Sequence, residues 1–185
     1  MCGITGWIDW NLDLSLERGI LEAMTDTLVP RGPDACGYWL SRQAALGHRR
    51  LIVVDPAGGE QPMVRQRGGN AYVLVYNGEL YNTEEIRGQL VSRGYSFQGH
   101  SDTEVLLQAY MEWGADCIQQ FNGIFAFAVW DQARQTLFMA RDRLGVKPLF
   151  YAQLGTTFLF ASEIKALLAH PRVQPLISAE GLAEV

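Results

Sequence analysis

The chain has 185 residues, 48% of them apolar, and a formal net charge of −5 at pH 7. That length suits one domain or one part of a larger protein, with enough apolar residues for a sizeable core. The acidic balance gives no reason to expect a nucleic acid or an anionic membrane as partner, and without an apolar run near ~18 residues no membrane-spanning helix is expected.

Residues 2–10 alternate and carry Ile, Trp and Thr, which predicts a strand. In 15–28, Leu16, Ile20, Met24 and Leu28 recur on one helical face, with Ser15 as N-cap. PRGPD at 30–34 ends that helix, because the residue before a proline avoids the helical region. Short strands are expected near 36–40 and 44–48, followed by a long loop from Val53 to Asn70. YVLVYNG at 72–78 predicts a strand that closes in an Asn-Gly turn. A helix follows over 82–94, with Asn82 as cap and Gly94 as stop. A second is expected over 101–114, with Ser101 and Glu104 as a capping box and Gly114 as stop. Residues 123–131 and 135–142 form one expected hairpin, 149–153 and 156–162 another, and 163–169 a short helix. The weak pattern beyond His170 reads as the start of a linker, so residues 1–170 are the expected domain and 171–185 the linker.

Helices that are grouped rather than strictly alternating with strands favour an α+β fold with mostly antiparallel sheets. Strands 72–76 and 124–130 are apolar on both faces, so both faces should be covered, as in layered sheets with helices outside.

Cys2, Cys36 and Cys117 are odd in number and far apart, which argues against a disulfide framework. With His48, His100 and His170 they show no metal-ligand spacing, so no metal is expected. A reducing, cytoplasmic location follows. Cys36 and Cys117 read as buried structural thiols, His48 as a core group, and Arg49 as a solvated charge.

Cys2 is the unusual residue. If Met1 is removed, Cys2 carries a thiol with an ordinary pKa near ~8.5 and an α-amine near ~7.7–8. The amine can serve as general base at neutral pH, so a single residue supplies nucleophile and base. An incidental terminal cysteine is the plain alternative.

MCGITG, RGPD (31–34), GHRRLIVVD (47–55), GEQPM (59–63), YNGELYN (76–82), SDTEV (101–105), FNGIFAFAVWD (121–131), RDRLGVKPLFY (141–151) and ASEIKAL (161–167) together resemble the glutaminase domain of class II glutamine amidotransferases. Within that group they are most similar to the N-terminal half of glutamine-hydrolysing asparagine synthetases. The likeness runs in register from Met1 to about His170. It implies the four-layer αββα sandwich of N-terminal nucleophile hydrolases, with L-glutamine as substrate and Cys2 as nucleophile. Arg50 is implied for the substrate carboxylate, which a guanidinium fork suits. Leu51 to Val54, with Val53 and Val54 the best matches, is implied to line the glutamine site. Glu79 and Asp102 are implied for the substrate ammonium, although an acid at a helix N-terminus is also stabilising by itself. Asn77 and Gly78 are implied as the oxyanion donors, compatible with a simple turn at a strand end.

RGPD is expected to support or gate the site, and RDRLGVKPLFY to be a structural connection. The resemblance implies a synthetase domain in the same polypeptide, with ATP and Mg2+ belonging there and no cofactor here. A homodimer is compatible with it. Three alternatives stand beside this reading. They are an amidotransferase with another ammonia acceptor, an amidase of the same nucleophile class, and a non-catalytic sensing or interaction domain.

Overall fold

The computed structural model describes residues 1–52 and 59–176. Strand β1 (Gly3–Asp9) opens the chain. A 3-10 turn (Leu14–Leu16) precedes helix α1 (Arg18–Asp26). Ser15 is therefore not the helix cap. The Asp13 side chain caps the turn by accepting from the Ser15 amide, and the helix proper starts only after Glu17. A short Asp carboxylate competes well for a nearby backbone N–H, which delays helix onset.

The two expected short strands, β2 (Ala35–Leu40) and β3 (Ala44–Arg50), pair as an antiparallel hairpin. Within the expected long loop lies a further strand, β4 (Met63–Arg67), which turns through Gly68 and Gly69, both at positive φ, into β5 (Asn70–Leu80). β5 runs through Asn77 and Gly78 without turning, pairing them with Ala126 and Phe125. The Asn-Gly pair is thus strand, not turn, because β6 (Gly123–Asp131) continues beside it to Leu80.

Helices α2 (Thr83–Ser92) and α3 (Asp102–Trp113) lie between β5 and β6 in the chain. Asn82 precedes α2, but its side chain bonds Gln120 and Asn122 instead of capping. The Ser101 hydroxyl does cap α3, accepting from the Glu104 amide at 3.3 Å. The Glu104 carboxylate turns back to the Gln98 and Gly99 amides at 3.1 and 2.9 Å and pairs with Arg65 on β4. That buried acid fixes the approach to α3. Gly114 stops the helix at φ 58°, as glycine allows. A 3-10 segment (Gly114–Gln119) links α3 to β6. β7 (Thr136–Arg141), β8 (Phe150–Leu154), β9 (Thr157–Ala161) and α4 (Ile164–Leu168) complete the order.

The strands form two sheets, β2-β3-β1-β9-β8 and β4-β5-β6-β7, with every pairing antiparallel. Three apolar layers show how they stack. Ile4, Ile8 and Leu46 from the first sheet meet Val73, Val75, Ala128 and Trp130 from the second. The outer face of the first sheet packs Trp7 and Leu159 against Leu21 and Met24 of α1 and Leu167 of α4. The outer face of the second packs Leu74, Tyr76 and Phe127 against Leu90 of α2 and Val105 and Leu106 of α3. This is a four-layer αββα sandwich. β5 alternates accordingly: Val73 and Val75 face the other sheet, whereas Leu74 and Tyr76 face the helices.

Candidate active site

A cleft of about 380 Å³ opens where the start of β1, the end of β3, the end of β5 and the N-terminus of α3 converge. Cys2, Arg50, Asn77, Gly78, Glu79 and Asp102 all line it, together with Leu51 and Gly59. Val53 and Val54 lie outside the described residues.

Cys2 sits one residue before β1, whose Gly3 pairs with Arg49 of β3. Its sulfur lies 3.7 Å from the Leu51 carbonyl, and its own carbonyl accepts from Arg31 Nε at 2.9 Å. Arg31 also pairs with Glu163 at 3.0 Å. The arginine of RGPD thus clamps the start of β1, a supporting role in keeping with the expectation for that loop. Ser162 adds a second tie, its hydroxyl accepting from the Ile4 amide at 3.0 Å. Met1 also lines the cleft, with its sulfur 3.5 Å from Lys147 Nζ. While Met1 is attached, the Cys2 nitrogen is an amide and has no base character.

Arg50 is only 7% exposed, unusual for a cation. Its guanidinium lies against Gly59, where an added Cβ would come 2.4 Å from Nη2. Only glycine leaves room for that group. Arg49, expected in solvent, is instead largely covered and pairs with Asp26 of α1, because β3 is an interior strand and its alternate side chains meet the helix layer.

Asn77 follows Val73 and Val75 on the inter-sheet face of β5. It is 2% exposed, and its Nδ2 has no hydrogen-bond partner among the described residues. A buried donor left unmatched is costly, on the order of 1–3 kcal/mol, so its position beside a cleft is informative. The Gly78 N–H points the same way by a separate route. On β5, the Tyr76 amide donates to Gln61 Oε1 at 2.6 Å and the Leu80 amide to Asp102 Oδ2 at 3.2 Å. Both face the edge that β4 leaves open, and the strand alternation puts the Gly78 N–H between them. Its partner Phe125 spends its own N–H and carbonyl on Asp142, away from β5. An added Cβ at Gly78 would come 2.5 Å from the Ile124 oxygen and from Tyr76 Cε2. Among the described residues two donors, Asn77 Nδ2 and Gly78 N–H, are therefore left without a partner in the cleft that Cys2 also lines. Such a pair suits an oxyanion, at roughly 3–4 kcal/mol per donor.

Glu79 is exposed in the cleft, and Asp102 is half-buried at the first turn of α3. Asp102 Oδ2 accepts from the Tyr76 hydroxyl at 2.8 Å. Burial, reinforced by the Asp102 carboxylate, holds that hydroxyl well above its ordinary pKa of 10, so it remains a donor. Beneath the site His48 is fully buried, its Nε2 3.1 Å from the Tyr76 carbonyl. Burial pushes its pKa down to about 4, so it is a neutral core group.

Gln61, Tyr76, His100 and Lys147 also line the cleft and were not singled out from sequence, although three of them sit in motifs that carried the resemblance. Lys147 belongs to RDRLGVKPLFY. Asp142 holds that connection by accepting from the Val146 and Lys147 amides, each at 2.9 Å, as a structural turn would. Cys117 is buried as expected, and burial pushes its thiol up to about 12. Cys36 is exposed, because β2 is an edge strand with open flanks. Among the described residues no group of His, Cys, Asp and Glu has a metal-binding arrangement, and no helix is long and apolar enough to cross a membrane.

The chain is 54% identical over its whole length to asparagine synthetase [glutamine-hydrolyzing] 3 of Bacillus subtilis, of which it spans 30%. It is 39% identical over 171 residues to asparagine synthetase B [glutamine-hydrolyzing] of Escherichia coli, covering 91% of this chain and 30% of that one. It is also 39% identical to Amidase chry2 of Gibberella zeae, covering 91% of this chain and 26% of that one. In structure it matches an allosteric regulatory enzyme of purine biosynthesis with a TM-score of 0.75 at 23% identity, over 91% of this chain and 43% of that one. It matches the glutamine phosphoribosylpyrophosphate amidotransferase of B. subtilis with a TM-score of 0.71 at 21% identity, over the same shares. These two share the fold of this chain. The family model for the glutamine amidotransferase domain matches residues 1–185, and the chain belongs to that family.

Proposed function

We propose that this domain hydrolyses L-glutamine to L-glutamate and ammonia through a γ-glutamyl thioester on Cys2. The observation that carries the reading is the buried Asn77 Nδ2, unmatched among the described residues, in a cleft that Cys2, Arg50, Glu79 and Asp102 also line. The substrate's α-carboxylate is assigned to Arg50 and its α-ammonium to Glu79 and Asp102, which sets the side-chain amide toward Cys2. Loss of Met1 frees the Cys2 amine, which takes the thiol proton. The thiolate adds to the amide carbon, and the oxyanion is held by Asn77 Nδ2 and Gly78 N–H. Collapse expels ammonia, protonated by the Cys2 ammonium. Water then attacks the thioester, losing a proton to the same amine. Glutamate leaves, and the thiolate recovers its proton.

Because the chain spans only 30% of the first B. subtilis relative, the rest of the reaction is assigned to a longer polypeptide. There the ammonia would serve ATP-dependent synthesis of asparagine from aspartate, with ATP and Mg2+ in the synthetase portion. Residues 1–170 form the proposed glutaminase domain, and 171–185 the start of its linker. Three free cysteines fit a cytoplasmic setting. The test is glutamine hydrolysis by Cys2→Ala, read as ammonia and glutamate. Complete loss with an unchanged melting curve is expected. Appreciable residual hydrolysis would remove Cys2 as nucleophile.

A further inference from the structure

We infer that Tyr76 is a positioning residue for amino-acid recognition: its hydroxyl holds the Asp102 carboxylate so that one oxygen stays free for the substrate's α-ammonium. The inference rests on the glutamine reading above and adds a residue that reading does not use. The Tyr76 hydroxyl and the Leu80 amide both donate to Asp102 Oδ2, at 2.8 and 3.2 Å. Neither donor reaches Oδ1, which among the described residues accepts no hydrogen bond, and Asp102 lines the cleft. Two donors on one oxygen fix both torsions of a short side chain that would otherwise turn freely at a helix start.

The tyrosine is itself held on every side. Its amide donates to Gln61 Oε1, its carbonyl faces His48 Nε2, and its ring edge fills the space a Gly78 side chain would need. It is 2% exposed and packs with Leu74, Phe127 and Val105. An apolar core position of that kind needs only a ring. The hydroxyl finds its partner in the Asp102 carboxylate, which lines the cleft. Because burial keeps that hydroxyl protonated, it retains the proton that it donates to Asp102. A freely rotating Asp102 would lose orientation entropy each time an ammonium bound, and a pre-set one does not.

The test compares glutamine with glutaramate, the same molecule without its α-amine, in Tyr76→Phe and Asp102→Asn of the protein. Tyr76→Phe keeps the ring and therefore the packing. It should lower kcat/KM for glutamine about tenfold, mainly through KM, while glutaramate changes less than about threefold, so the preference for glutamine narrows. Asp102→Asn should narrow the same preference further. Equal losses on both substrates in Tyr76→Phe would overturn the inference and make the hydroxyl a packing group. If Asp102→Asn narrows the preference and Tyr76→Phe does not, the Asp102 assignment stands and the Tyr76 inference fails. If Asp102→Asn leaves the preference intact, the Asp102 assignment itself fails and carries the inference with it.

Discussion

Asn77→Ala should make the protein a poorer enzyme without making it a less stable one. Asn77 is 2% exposed, and its Nδ2 is unmatched among the described residues. An unmatched buried amide donor costs about 1–3 kcal/mol. Truncation to Ala removes that cost, and with it amide packing worth roughly 1 kcal/mol. The net change runs from nothing to about 2 kcal/mol of added stability. For a chain of this length that is a rise in Tm of up to ~8 °C, at roughly 2–4 °C per kcal/mol. The same truncation removes one oxyanion donor, which lowers kcat by about 10²–10³. Thermal unfolding by circular dichroism and glutamate release at saturating glutamine measure the two effects on one sample. A variant that melts lower and still turns over within tenfold of the parent would refute the reasoning, because the amide would then be a structural group.

Gly59→Ala should push Arg50 out of place, since the new Cβ would come 2.4 Å from Nη2. The guanidinium tip can swing, so the fold should survive while KM for glutamine rises about tenfold with kcat nearly unchanged. An unaltered KM would detach Arg50 from substrate binding. Stability should also fall with acid through His48. Its pKa is depressed from 6.5 to about 4 in the fold, so between those values the unfolded chain binds the extra proton. The stabilisation is complete above pH 6.5 and is lost as pH drops to about 4, on the order of 3 kcal/mol in total. Denaturant midpoints at pH 7 and pH 4.5 should separate less in His48→Gln than in the parent. Equal separations would show that His48 is not the buried neutral group described.

The layered sandwich was legible because its determinants are local. Strands apolar on both faces, helices with an apolar stripe and hairpin spacings each carry a local signal. The clearest miss was β4. Gly, Pro and charge surround Met63–Arg67, and a five-residue edge strand with exposed side chains alternates too weakly to stand out. Asn77-Gly78 has the composition of a turn, yet it continues as strand because β6 supplies pairing partners as far as Gly123, a non-local fact. Arg49 and Cys36 were misjudged for a related reason. Exposure depends on whether a strand is interior or at an edge, and sheet order is set by the whole chain. At the site, the motifs identified Cys2, Arg50, Asn77, Gly78, Glu79 and Asp102 as candidates, and the fold brings all six to one cleft. The groups that support them were hidden. Arg31 acts through a backbone carbonyl, Gln61 through a backbone amide and Tyr76 through a second side chain, and such contacts leave no spacing rule.

The most direct measurement is the intact mass of the protein quenched in acid during turnover with glutamine, followed by mapping of the modified peptide. The expected species lacks Met1 and carries one γ-glutamyl group, located on Cys2 and absent from Cys36 and Cys117. Turnover by a protein that still retains Met1, or an acyl group on any residue other than Cys2, would contradict the mechanism.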